Sequence, residues 1–257
     1  MIGIFDSGIG GVTYLDALHR YMPDVDTYYF GDTLNVPYGD RSSSEIVKLA
    51  DEGIQRFQNK GCSLVIVACN TIASEALRIL QARYDRTIKI LGVLIPASEQ
   101  AIEVSSSKRI GVLGTKQTIR SQAYERELSK LDVNVRVYGV AAPEIVPLIE
   151  RGEYDSQNME NILRSYLSVL IASEVDTIIL GCTHYNILEN IVQKIVPSSV
   201  KIVNSSQAAV EKLSPYLHNH KDIAKMLCYT GKMEIDCSGD REIFLGHVKT
   251  LFPHLLV

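Results

Sequence analysis

Short runs of β-branched and aliphatic residues alternate along the chain with longer stretches in which apolar residues recur every three or four positions. The runs Ile2–Phe5, Thr27–Phe30, Leu64–Ala68, Ile88–Leu94, Arg109–Leu113, Asn134–Val140, Thr177–Leu180 and Lys201–Val203 predict strands. Ser43–Asn59, Ile72–Tyr84, Ser121–Leu131, Asn158–Ser173 and Asn186–Ile195 predict amphipathic helices. Strands that are apolar on both faces and separated by helices imply parallel sheets covered on each side. Ligands of such sheets bind beyond the carboxyl ends of the strands, so chemistry is to be sought just after each strand.

A weak internal repeat accompanies this pattern. Ile2-Gly3-Ile4-Phe5 runs into Asp6-Ser7-Gly8, as Ile110-Gly111-Val112-Leu113 runs into Gly114-Thr115-Lys116, an offset of 108 residues from 2 to 110. Leu64–Ala68 runs into Cys69-Asn70-Thr71, as Thr177–Gly181 runs into Cys182-Thr183-His184, an offset of 113 from 69 to 182. Coincidence competes with duplication here, because strand-then-polar sequences are common in α/β proteins. Under duplication, two pseudo-symmetric, doubly wound parallel-sheet domains face each other with the active site in the cleft between them. Each would present one strand-end cysteine to that cleft. The expected boundaries lie near Leu94-Ile95-Pro96, where a strand meets a proline, and near Asn204-Ser205. They give a first domain of residues 1–94 with the returning segment 206–257, and a second of 95–205. In the returning segment a strand at Met226–Tyr229 and a helix from Asp240 to about Phe252 are expected to pack on the first half.

The 257 residues suffice for one large domain or two moderate ones. A net charge of −4 without a basic run argues against nucleic-acid binding. The apolar runs fall short of the roughly 20 residues of a membrane span. The N-terminus enters a strand with no signal-peptide pattern, and a cytoplasmic protein is expected. Cys62, Cys69, Cys182, Cys228 and Cys237 form no CxxC pair and read as free thiols. Buried and inert is the default for each, and Cys62, Cys228 and Cys237 are left as structural.

Chemistry concentrates at the strand ends. Asp6-Ser7-Gly8-Ile9-Gly10-Gly11 offers backbone N–H groups and a helix start suited to an anion, although a capped tight turn explains it equally well. Cys69 and Cys182 each end a strand ahead of small hydrogen-bonding residues, and a thiol at a helix N-terminus is expected to have a lowered pKa. Two thiols across a small substrate suit racemisation at a carbon bearing a carboxylate, with a base on one face and an acid on the other. Donors such as Asn70, Thr71 and Thr183 would hold that carboxylate as it gains charge. Asp6, Glu150 and His184 are acid–base helpers. A metal site from Cys69, Cys182, His184 and Asp6 is the rival, weakened by having only one close-spaced ligand pair. Pro37-Tyr38-Gly39 suits a rigid loop over a ligand, or a plain surface turn.

The sequence resembles the glutamate racemases that feed D-glutamate to bacterial cell-wall peptidoglycan. The resemblance is carried by Asp6–Gly11, Gly31-Asp32-Thr33 with Pro37-Tyr38-Gly39, Ala68–Thr71, Gly114-Thr115 with Thr118, Val146–Glu150 and Leu180–Tyr185, in family order. It implies that Cys69 and Cys182 are the paired acid/base thiols, with Asp6 assisting Cys69 and Glu150 and His184 assisting Cys182. It also implies that Asp6, Ser7, Tyr38, Gly39, Asn70, Thr71, Thr183 and His184 bind the amino acid's α-carboxylate and amino group or line its pocket. Thr115 and Thr118 would reach the side-chain carboxylate. No metal or pyridoxal cofactor is implied, and a homodimer is. Ile72, Asn186, Asn204-Ser205-Ser206 and Leu34-Asn35 depart from the usual pattern without removing a proposed catalytic group. The chain has no extension before its first strand, so activation by a cell-wall precursor, seen in one branch of the family, is not expected. Aspartate racemisation, or amino-acid binding without catalysis, are the other readings.

Overall fold

The computed structural model describes residues 1–256, and these build two separate all-parallel sheets. The strands are β1 (Ile2–Asp6), β2 (Thr27–Gly31), β3 (Leu64–Val67), β4 (Lys89–Gly92), β5 (Arg109–Gly114), β6 (Arg136–Ala141), β7 (Thr177–Gly181), β8 (Lys201–Asn204) and β9 (Met233–Cys237). One sheet has the order β4-β3-β1-β2-β9 and the other β6-β5-β7-β8. Read from the opposite edge, the second is β8-β7-β5-β6. The first four strands of the chain and the next four are therefore wound in the same order. Residue 2 pairs with 64 where β1 meets β3, and 110 with 177 where β5 meets β7.

The central strands β1, β3 and β7 are buried along their whole length, which is why their sequences are apolar throughout instead of alternating. Helices cover the sheets, and their starts are fixed locally. Ser42 and Glu45 form a reciprocal capping box at Ser43–Asn59, Ser156 caps Gln157–Ala172, and Asp240 caps Arg241–Leu251.

Several elements differ from expectation, each for a physical reason. Leu94 starts a helix, Leu94–Val104, that runs through Pro96. Proline is tolerated there because N–H groups in a helix's first turn have no intrahelical partner. The strand expected at Met226–Tyr229 is absent. Asp26 accepts hydrogen bonds from Thr230 N and Oγ1 and Lys232 N at 2.7, 2.8 and 3.2 Å, and Gly231 adopts φ 74°. That turn delays the strand to Met233–Cys237, which pairs with β2. The helices expected at Ile72–Tyr84, Ser121–Leu131 and Asn186–Ile195 are each broken or shortened. The second is observed as Ala123–Leu131, and separate short helices, Asn70–Glu75, Lys116–Arg120 and Thr183–Ile187, begin just after strand ends. No helix among the described residues is long and apolar enough to cross a membrane.

Candidate active site

In a doubly wound sheet the crevice opens where the chain reverses its direction of winding. In the first sheet that point lies between β1 and β3, in the second between β5 and β7. The residues leaving these strands are Asp6-Ser7, Cys69-Asn70-Thr71, Thr115 and Cys182-Thr183-His184. Cys69 and Cys182 are each the extended residue that caps a short helix, and both are buried. All five cysteines are free, and Cys228, expected to be buried, is exposed.

Asp6 is wholly buried. Its Oδ2 accepts from Gly8 N and Gly11 N at 3.1 and 3.0 Å, and its Oδ1 from Thr183 Oγ1 at 3.1 Å. Burial pushes its pKa up to about 6, although the charge of His184 and these hydrogen bonds pull it down. Ser7 Oγ lies 3.5 Å from Cys69 Sγ. Burial, and then the negative charge of Asp6, push the Cys69 thiol up to about 12, against the pull of the Ser7 hydrogen bond. This corrects the expectation of a lowered value at a helix start. The favourable dipoles of the helix's first turn are outweighed by desolvation and a neighbouring carboxylate.

On the other thiol, His184 Nδ1 lies 3.8 Å from Cys182 Sγ, and His184 Nε2 lies 2.6 Å from Glu150 Oε1. Glu150 also accepts from Ile9 N at 2.9 Å. Burial alone would raise Glu150, but the hydrogen bond and charge of His184 hold it below the usual carboxylate value. Burial would lower His184, and hydrogen bonds to Cys182 and Glu150 outweigh it, so its pKa is raised well above the ordinary imidazole value. The chain packs tightly here. A Cβ on Gly10 would stand 2.5 Å from the His184 backbone nitrogen and 2.6 Å from Thr183 Oγ1.

A second polar cluster joins the halves. The hydroxyls of Thr71, Thr115 and Thr118 lie 2.9, 3.3 and 3.0 Å from one another, one from the first half and two from the second. Tyr124 Oη donates to Asn70 Oδ1 at 2.6 Å. Gly39 abuts Thr115, whereas the Tyr38 hydroxyl turns away and donates to Asp32 Oδ2 at 2.6 Å. Asp32 also accepts from Ser238 Oγ and Asn35 Nδ2, which ties this loop to the chain after β9. A cavity of about 1170 Å³ opens beside Gly39, Asp40, Lys116 and Gln117. Among its lining residues, Lys116 Nζ lies 3.0 Å from Asp40 and Gln117 Nε2 donates to Ser43 Oγ at 3.0 Å.

Every site residue expected from sequence thus falls in one of these two clusters or in the adjoining loop. Tyr124 was not foreseen, since a tyrosine at helical spacing has no signal separating it from ordinary packing, and Asp32, though part of the Gly31-Asp32-Thr33 motif, was given no role of its own. Among the described residues no group of three or more His, Cys, Asp and Glu is gathered as a metal would require.

The family model for Asp/Glu/Hydantoin racemases matches residues 2–213. A glutamate racemase of Sulfurihydrogenibium sp. is 40% identical over 255 residues, 99% of this chain and 91% of that one. Among solved structures, the glutamate racemase isoform RacE1 of Bacillus anthracis superposes with a TM-score of 0.91 at 31% identity, over 98% of this chain and 94% of that one. The glutamate racemase of Francisella tularensis, solved in complex with D-glutamate, gives 0.87 at 29% identity, over 98% and 93%. The chain belongs to the Asp/Glu/Hydantoin racemase family.

Proposed function

We propose that the protein interconverts L- and D-glutamate by moving the α-proton between Cys69 and Cys182. The carrying observation is the placement of the two thiols. They end equivalent strands of two sheets wound in the same order, and Asp6 links their surroundings through Thr183. Glutamate is the substrate named for the relatives, and one of them was solved with D-glutamate bound.

One sulfur, as thiolate, takes the proton from the α-carbon. The opposite sulfur, as thiol, returns a proton to the other face. The enzyme is left with its protons exchanged and is ready for the reverse direction. The thiols thus supply both proton carriers, and the scheme requires neither metal nor cofactor. Cys69, raised to about 12, needs help to ionise, and Asp6 beside it is the base. His184, oriented and charged by Glu150, does the corresponding work at Cys182.

The intermediate has enolate character, so its carboxylate gains charge as the proton leaves. Ser7, Asn70, Thr71 and Thr183 act there, and each oriented donor of this kind is worth on the order of 3 kcal/mol in the transition state. Thr115 and Thr118, with Tyr38 and Gly39 at the wall, receive the side-chain carboxylate. D-Glutamate made in this way supplies peptidoglycan synthesis in the cytoplasm, with the enzyme acting as a homodimer; these points rest on the family resemblance. The test is α-deuterium exchange from solvent with both glutamate enantiomers and with aspartate. Exchange and racemisation of glutamate are expected. Turnover of aspartate alone, or glutamate binding without exchange, would reject the proposal.

A further inference from the structure

Tyr124 lies in the first turn of the helix Ala123–Leu131 of the second half and is almost wholly buried. Its hydroxyl is hydrogen-bonded to Asn70 of the first half, and Asn70 Nδ2 in turn reaches Ser205 Oγ at 3.3 Å. The tyrosine ring packs on Gly181, the residue before Cys182, where an added Cβ would come within 3.1 Å of it. Tyr124 therefore spans from the strand end that carries Cys182 to the residue after Cys69. Gln122, just before the helix, takes a left-handed φ of 53°, a conformation unfavourable for a residue with a side chain. Burial, and then the charge of Cys182, push the Tyr124 hydroxyl far above the ordinary phenol value, so it keeps its proton to donate.

The two ends of an asparagine amide have opposite roles: the oxygen accepts and the nitrogen donates. A residue that holds a carboxylate must present the nitrogen. With Oδ1 accepting from Tyr124 and one N–H given to Ser205 Oγ, the group Asn70 has left for an anion is its second N–H. Without that donor the amide is free to turn over and set its oxygen against the carboxylate.

We propose that Tyr124 is a positioning residue that fixes the side-chain amide of Asn70 so that it donates to the substrate carboxylate. The inference rests on the glutamate racemase reading. Tyr124 itself does not touch the substrate. Its effect passes entirely through Asn70, and that makes it separable from a packing role.

The experiment is a double-mutant cycle with Tyr124→Phe and Asn70→Ala. Turnover of glutamate by the unmodified enzyme tests the functional reading first, independently of the cycle. Because the enantiomers are equally stable, kcat/KM must fall by one factor in both directions, and the informative split lies in KM. Tyr124→Phe is expected to lower kcat/KM about tenfold, with KM raised and the unfolding temperature nearly unchanged. In the Asn70→Ala background the same substitution is expected to cost nothing further. If Asn70→Ala turns over too slowly to measure, the Kd of D-glutamate by calorimetry is compared across the same four proteins. Turnover within twofold of the unmodified enzyme would overturn the proposal. So would an equal loss with and without Asn70, or a lowered unfolding temperature with KM unchanged.

Discussion

Thr183 Oγ1 donates to Asp6 Oδ1 at 3.1 Å, so the two halves of the molecule meet at a carboxylate that solvent does not reach. Two backbone N–H groups hold the other oxygen of Asp6, but three hydrogen bonds and the nearby His184 charge do not offset its burial. Asp6 is thereby a carboxylate kept at a free-energy cost beside the Cys69 thiol.

That cost sets a pH dependence. The folded-state pKa of about 6 lies above the ordinary 3.8, so the folded protein binds this proton more tightly than the unfolded chain. The stability it contributes is fully present below about pH 4 and is lost as pH rises through 6. A shift of about 2 units corresponds to roughly 3 kcal/mol. Asp6→Asn removes the titration. Its stability relative to the unmodified protein, from urea unfolding, should improve by up to that amount between about pH 4 and about pH 8. A gap that stays constant with pH would show that Asp6 does not titrate as described.

The two-thiol scheme predicts matching losses at distant positions. Cys69→Ser and Cys182→Ser should each lower racemisation about a thousandfold, since one face loses its proton carrier. Residual α-deuterium exchange should be confined to one enantiomer, and to opposite enantiomers in the two variants. Substantial racemisation by either variant would reject the scheme.

The parallel α/β class and the polar residues that leave the strand ends were legible in the sequence because both depend on local patterns. Apolar runs mark β1, β3, β5 and β7, and the polar residue after each run falls where a parallel sheet opens. What was hidden depends on contacts between distant segments. Met233–Cys237 alternates apolar with acidic residues and becomes a strand through the turn that Asp26 pins. The Cys69 thiol was expected to be acidic from its helix start, but its burial and the adjacent Asp6 belong to tertiary structure. Tyr124 looks like any core tyrosine until its hydroxyl is seen to cross between the halves.

The His184–Glu150 pair gives a second electrostatic prediction. Glu150 lies below its ordinary 4.5, so its contribution is present above that value and fades as pH falls through the lowered one. His184 lies above 6.5, so its contribution is present below that value and fades as pH rises through the raised one. The pair is thus fully engaged between those limits. Glu150→Gln should cost about 3 kcal/mol at neutral pH, because it leaves a buried imidazolium without its partner. The His184 imidazole, followed by nitrogen NMR, should then lose its proton at a lower pH than in the unmodified protein. An unchanged titration would mean that Glu150 does not sustain the charge.

Gly10 and Gly39 separate packing within the site from the approach of its two walls. A Cβ at Gly10 would strike the backbone nitrogen of His184 at 2.5 Å, and Gly10 is itself buried on a turn leading from β1, so neither side can yield. Gly10→Ala should abolish activity and destabilise the protein by about 3 kcal/mol. At Gly39, also buried, the Cβ would meet Thr115 Cβ at 2.5 Å, but Gly39 lies in the single turn Tyr38–Asp40 and Thr115 on the opposite wall. Relief there comes from moving the walls apart by roughly an ångström, a displacement able to cost about a hundredfold in rate. Gly39→Ala should therefore lower kcat/KM by about that factor while costing no more than about 1 kcal/mol of stability. Paired kinetics and urea unfolding decide the matter. If Gly39→Ala loses stability as heavily as Gly10→Ala, the loop is part of the rigid core and does not act as a wall that sets the width of the cleft.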